Sequence, residues 1–218
     1  MRMQCVGRDL TISRKRWIKA GYRALDDVEE LVRFVKYNAA ELGADSSLIF
    51  AGGLSAGGYL AIHCAKDAAS GNRRPVESDR SNPIPQQISA DIVGVINCWG
   101  GIFDTTSLGM VRIPMISFRG SRDLVMPETR GWACMDPFLR VFGPKLITKV
   151  IASHGIYAIY RTLDGARHGL EARSAQMDTL ITDVGNFLDT SMQISRVAAT
   201  IHDTGSTEES AFLSHNRQ

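Results

Sequence analysis

Ser55 stands in Gly53-Leu54-Ser55-Ala56-Gly57, directly after the apolar run SLIFA. Taken alone, G-x-S-x-G is a weak signal, because small-residue loops reproduce it by chance. Its setting makes it informative. An apolar strand before the serine and a helix after it force the residue onto a strained turn, with its hydroxyl exposed at the C-terminal edge of a sheet. Flanking glycines let strand and helix approach closely, and the helix N-terminus offers the Ala56 N–H to a developing oxyanion. The plainer reading is a serine that only caps a helix after a tight turn.

A serine hydroxyl attacks poorly until a base takes its proton, and that base needs a carboxylate to orient it. Of the five histidines, His63 falls inside the helix after Ser55, His154 at a helix end before Gly155, and His202 and His215 near the C-terminus. His168 differs. It sits in LDGARHGL, a glycine-flanked loop directly after a strand, where a side chain can reach back over the sheet edge. For the acid, ISFRGSRDLVMP puts Asp123 immediately after another strand. Asp104, in CWGGIFDTT, is the rival, and the tight Gly-x-x-Asp turn suits a fixed carboxylate better. Loops that follow parallel strands all emerge at one edge, so Ser55, Asp123 and His168 are expected to converge.

The elements that must position them follow from periodicity. Leu25, Val28, Leu31, Val32, Val35, Ala39 and Leu42 recur every three or four residues, a one-faced helix with Gly43 as its stop. SLIFAGG then fits a buried strand, and residues 56–66 a helix. Further strands are expected at 91–98, 113–118 and 156–163, and helices at 132–142, 145–153 and 174–188. Alternating strands and helices imply a doubly wound, mostly parallel α/β sheet. Residues 1–23 read as irregular with a short strand near Leu10–Ile12, 67–90 as a polar loop, and 191–218 as a flexible tail after a single domain at 1–190.

Composition sets the outer bounds. The 218 residues suffice for one α/β domain, and 44% hydrophobic with 22% charged residues is ordinary for a globular chain. A formal net charge of +2 without a basic run argues against nucleic-acid or membrane-surface partners. Cys5, Cys64, Cys98 and Cys134 are widely spaced and form no CxxC pair, so buried thiols are expected rather than a metal site. No apolar run reaches the roughly 18 residues of a membrane span. The N-terminus shows no secretory signal, and the compartment stays open.

The order Ser, Asp, His resembles that of the α/β-hydrolases. YRALDDVEELVRFVKYNAAELGADSSLIFAGGLSAGGYLAIHCA is similar to the segment around the nucleophile in carboxylesterase-type members. IPMISFRGSRDLVMP resembles their acid loop, with Phe118 and Arg119 where a histidine commonly precedes the glycine, and DGARHG resembles their histidine loop. The resemblance covers roughly residues 22–190. It implies an α/β-hydrolase fold in which Ser55 is nucleophile, His168 base and Asp123 orienting acid, acting on a small-molecule ester without a cofactor or metal. Family members carry earlier strands and an HGG-type loop giving a second oxyanion donor. Residues 1–54 contain no such motif, so the resemblance implies an N-terminally truncated chain whose 48–52 strand is an exposed edge inviting self-association. Three functions stay open: a serine carboxylesterase, a catalytically impaired or inactive remnant, and a prolyl-oligopeptidase-like peptidase. Among apolar residues near strand ends, Trp99 and Met126 are the foremost candidates for the substrate wall, ahead of Phe103, Met110, Trp132 and Phe138.

Overall fold

The structure is a computed structural model that describes residues 13–70, 84–85, 88–106, 108–132, 140–169 and 175–215, with side chains from 20 to 69 and up to 197 in the first and last helical regions. The chain runs α1 (Ser13–Tyr37), α2 (Ala39–Leu42), β1 (Phe50–Leu54), α3 (Ala56–Ser70), β2 (Gly94–Cys98), β3 (Met115–Gly120), β4 (Arg130–Trp132), β5 (Arg140–Phe142), α4 (Pro144–Ala152), β6 (Ala158–Leu163) and α5 (Ala175–His215). Strands β1, β2, β3 and β6 form one parallel sheet in that order.

Strand alternation sends side chains to two faces, and each face meets its own helices. On one side Val95 and Met115 join Leu25 and Val32 of α1, Ala61, Ile62 and Ala65 of α3, and Ile147 and Ile151 of α4. On the other, Ile116, Phe118 and Leu163 pack with Phe187 of α5. Both central strands are buried almost throughout, which is why β2 and β3 read as continuous apolar runs rather than alternating ones. Two fully buried polar side chains sit within this sheet, and they bond each other: Asn97 donates to the Ser117 hydroxyl and to the Gly100 carbonyl, and accepts the Gly100 N–H. At the rim β1 pairs only with β2 among the described residues, and Gly52 and Leu54 are exposed.

Several expectations are corrected. The irregular N-terminal segment is helical from Ser13, while the strand expected near Leu10–Ile12 lies outside the described residues. The first helix breaks at Asn38, and Gly43 ends α2 with φ +62°, the left-handed conformation a glycine adopts without strain. Residues flanking the expected helix at 132–142 are instead the antiparallel pair β4–β5, with 133–139 outside the described residues. The hairpin is tied to the sheet's edge by a bridge between Ile102 and Phe142, a long-range pairing with no local sequence signal. Helix α5 continues past residue 190 to His215, through the segment read from sequence as a flexible tail. Helix α3 extends to Ser70, into the segment read as loop, whose residues 71–83 lie outside the described residues.

Candidate active site

Ser55 occupies the single residue between β1 and α3 with φ 52°. A left-handed conformation at a non-glycine residue costs about 1–3 kcal/mol and persists only where its surroundings enforce it. They do so here. The Ser55 N–H donates to the Cys98 carbonyl at 2.7 Å, and its own carbonyl accepts the first helical bond, from Tyr59 N–H at 3.0 Å. Ala56 opens α3, where helix geometry leaves its N–H without an intrahelical acceptor.

Asp123 follows β3 on a turn closed by its own N–H to the Gly120 carbonyl. Its side chain is fully buried. One carboxylate oxygen accepts the N–H groups of Val125 and Met126 at 2.8 and 2.9 Å, and the other faces His168 Nδ1 at 3.0 Å. Burial alone would raise its pKa; the bond to His168 and the two backbone N–H groups outweigh this and hold the carboxyl below its ordinary value. The loop is braced by Arg119, whose guanidinium donates to the carbonyls of Gly120, Asp123 and Met126 at 2.9, 2.6 and 2.8 Å.

His168 lies in the loop after β6. Its Nε2 is 2.8 Å from Ser55 Oγ, while its Nδ1 faces Asp123. An ionised carboxylate only accepts, so the proton sits on Nδ1 and leaves Nε2 as acceptor for the serine hydroxyl. The acid and histidine loops are bound together. The Ser121 hydroxyl donates to Asp164 and accepts the Gly165 N–H, and the Arg122 N–H donates to the Ala166 carbonyl at 2.9 Å. Residues 113 apart in sequence thus share a hydrogen bond because the connections after β1, β3 and β6 of one parallel sheet start at the same edge.

The rival acid stays apart. Asp104 is exposed, accepts the Thr106 N–H and hydroxyl, and lies 3.8 Å from Lys66 Nζ. His63 packs against Tyr59 inside α3, and His154 Nδ1 lies 2.8 Å from the Val150 carbonyl at the end of α4. Trp99 and Met126, the foremost candidates for the substrate wall, are both buried or nearly so. Trp99 is 1% exposed and Met126 9%; the first is locked into the apolar layer under the site, and the second packs with Val141. Apolar surface at this edge comes instead from Phe103 and Leu124, 41% and 78% exposed. Sequence reading passed over Arg119 as a non-catalytic departure and over Leu124 altogether; adjacency to Asp123 was the only available signal. Among the described residues no cluster of three or more His, Cys, Asp or Glu is arranged to hold a metal, and no helix is long and apolar enough to cross a membrane.

A parallel sheet between helical layers, with a serine on a strained turn after the edge strand, is the arrangement of the α/β-hydrolase fold. The family model described as BD-FAE, an esterase-type α/β-hydrolase family, matches residues 19–124. The chain is similar in structure to an esterase, Est2, of the planctomycete Thermogutta terrifontis. Against its propionate-bound form the identity is 21% and the TM-score 0.55, with 76% of this chain and 64% of that one covered. The butyrate-bound form gives 20% and 0.56 over 76% and 64%, and the same esterase phosphorylated by paraoxon gives 21% and 0.53 over 75% and 62%. The chain therefore spans less than two thirds of the length of these esterases. No curated protein sequence matches it.

Proposed function

We propose that the chain is a serine hydrolase of small carboxylic esters working through an acyl-enzyme on Ser55. The observation that carries this reading is the continuous hydrogen-bonded path Ser55 Oγ, His168 Nε2, His168 Nδ1, Asp123 Oδ2, at 2.8 and 3.0 Å. As Ser55 Oγ attacks the ester carbonyl carbon, its proton passes to His168 Nε2, and Asp123 stabilises the imidazolium without taking the proton itself. The Ala56 N–H faces the carbonyl oxygen as it becomes an oxyanion. Collapse of the tetrahedral intermediate breaks the C–O bond, and the alcohol leaves with the proton from His168. Water then gives a proton to His168, attacks the acyl carbon, and releases the acid and a restored Ser55. Phe103 and Leu124 supply apolar contact for a short acyl or alcohol group.

Esterase neighbours bound to propionate and butyrate, or phosphorylated by paraoxon, support the same class of substrate for this chain. The test is hydrolysis of p-nitrophenyl acetate together with labelling by a fluorophosphonate. Activity and label are expected in the wild type and absent in Ser55→Ala. Equal labelling of the two proteins refutes the reading.

A further inference from the structure

Trp99 is the only non-glycine residue besides Ser55 with positive φ among the described residues, at 59°. The two occupy equivalent places. Leu54 and Cys98 are register partners on β1 and β2, so Ser55 and Trp99 are the next residues on adjacent strands. A bulky side chain in the left-handed region is an outlier that its surroundings must enforce, and such outliers cluster at functional sites.

The surroundings of Trp99 join all three parts of the triad. Its neighbour Cys98 accepts the Ser55 N–H, which fixes the nucleophile turn. Its own N–H donates to the Phe118 carbonyl at 2.9 Å, on the strand leading to Asp123. Its indole Nε1–H donates to the Arg167 carbonyl at 3.0 Å, one residue before His168. The ring is 1% exposed, in the same apolar layer as Phe118, Leu163 and Ala166. Had the strand continued in extended conformation, the side chain would leave this path; the left-handed turn aims the indole at the histidine loop.

We infer that Trp99 is a positioning residue: its strained backbone and indole N–H set the place of the histidine loop, and thereby the reach of His168 Nε2 to Ser55. The inference rests on the hydrolase reading above for its catalytic consequence. Ser121 and Arg122 of the acid loop bond Asp164, Gly165 and Ala166, and Gln176 of α5 bonds the Asp164 carbonyl, whereas the indole bonds the Arg167 carbonyl, next to His168. Without it the backbone beside His168 loses its bond to β2's end, and the imidazole depends on its own bonds to Asp123 and Ser55. A displacement approaching 1 Å between reacting groups lowers turnover by up to about 10²-fold, and partial loosening by about 10-fold.

The test replaces the N–H and little else. Trp99→Phe removes the donor and shortens the ring; incorporation of benzothienylalanine at 99 keeps the bicyclic shape with sulfur in place of the N–H. Phe187→Leu, in the same apolar layer but without a bond to the loop, controls for loss of packing. Both changes at 99 are expected to lower kcat about 10-fold with KM changed less than about two-fold. They should also speed amide hydrogen exchange at Arg167 and His168, beside the carbonyl that the indole holds. Phe187→Leu should lower the melting temperature and keep kcat. Unchanged kcat and exchange in the benzothienyl protein, or an equal kcat loss in Phe187→Leu, overturns the inference. A wild type that labels with no fluorophosphonate overturns the hydrolase reading instead, and the exchange measurement then still decides whether the indole holds the loop.

Discussion

The two glycines that frame Ser55 look equivalent in sequence and are not equivalent in space. A methyl group on Gly53 would lie 2.6 Å from the Gly57 carbonyl carbon and 2.7 Å from its Cα. Those are backbone atoms of α3, and no side-chain rotation can move them. To reach the ordinary contact range, which starts at 3.4 Å, the strand and helix must separate by roughly 0.8 Å at the turn that carries the nucleophile. Overpacking of this kind costs about 1–3 kcal/mol. In a domain of this size it lowers the melting temperature by roughly 2–4 °C per kcal/mol. A shift near 1 Å at the nucleophile is also enough to reduce turnover by ~10²-fold. A methyl group on Gly57, by contrast, meets nothing within 4 Å on a helical residue. There the substitution replaces the poorest ordinary helix former by the best, a gain of about 1 kcal/mol. Gly53→Ala is therefore expected to lose stability and at least ten-fold in kcat, a conservative part of that range, while Gly57→Ala melts higher and keeps its activity. Thermal melts and p-nitrophenyl acetate kinetics on the two variants decide the matter. A Gly57→Ala protein as damaged as Gly53→Ala, or an unimpaired Gly53→Ala, refutes the close strand–helix approach at the turn.

Asp123 has a lowered carboxyl pKa in the folded chain, so its contribution to stability is present above the unfolded value near 3.9 and lost as pH falls through the folded one. The stability difference between wild type and Asp123→Asn should thus be constant at neutral pH and shrink below about pH 4; a pH-independent difference in urea titrations contradicts this. Arg119→Met removes three donors from the acid loop and is expected to destabilise by about 1–3 kcal/mol with a larger effect on kcat than on KM; wild-type kinetics would show that the loop holds its shape unaided. Burial pushes the thiols of Cys64 and Cys98 up to about 12 and about 11. Peptide mass spectrometry after iodoacetamide at pH 8 should find both unmodified in the folded protein and both alkylated in urea, whereas rapid native alkylation refutes their burial.

What could be read from sequence was whatever local patterning controls. SLIFAGGLSAGG announced a buried strand, a tight turn and a helix, and the loops after GVINC, MISFRG and AIYRTL then had to meet at one edge. Choosing Asp123 over Asp104 rested on turn geometry, and the chain brings Asp123 to His168 and turns Asp104 toward Lys66. Long-range contacts were hidden. The strands at 130–132 and 140–142 pair with each other, and Phe142 bridges to Ile102, so the described ends of a segment suited to a helix are strands. The start of α1 at Ser13 was obscured by a basic stretch and by Gly21, a residue that reads as a breaker. Inside the helix Gly21 faces the Tyr59 ring, which an added methyl would meet at 3.5 Å, an ordinary contact, so the glycine breaks nothing there. Trp99 is a candidate for the substrate wall on sequence grounds only because it sits next to a strand end. Nothing in its sequence neighbours announces its positive φ.

The central claim, that Ser55 is a nucleophile activated by His168, is tested most directly by trapping it. Paraoxon, followed by intact-mass and peptide analysis, should leave one diethylphosphoryl group on Ser55. The adduct should be absent in Ser55→Ala and form at least about 10²-fold more slowly in His168→Ala, the lower end of a general base's contribution. An unmodified wild type, or an adduct that survives in Ser55→Ala, would contradict the account.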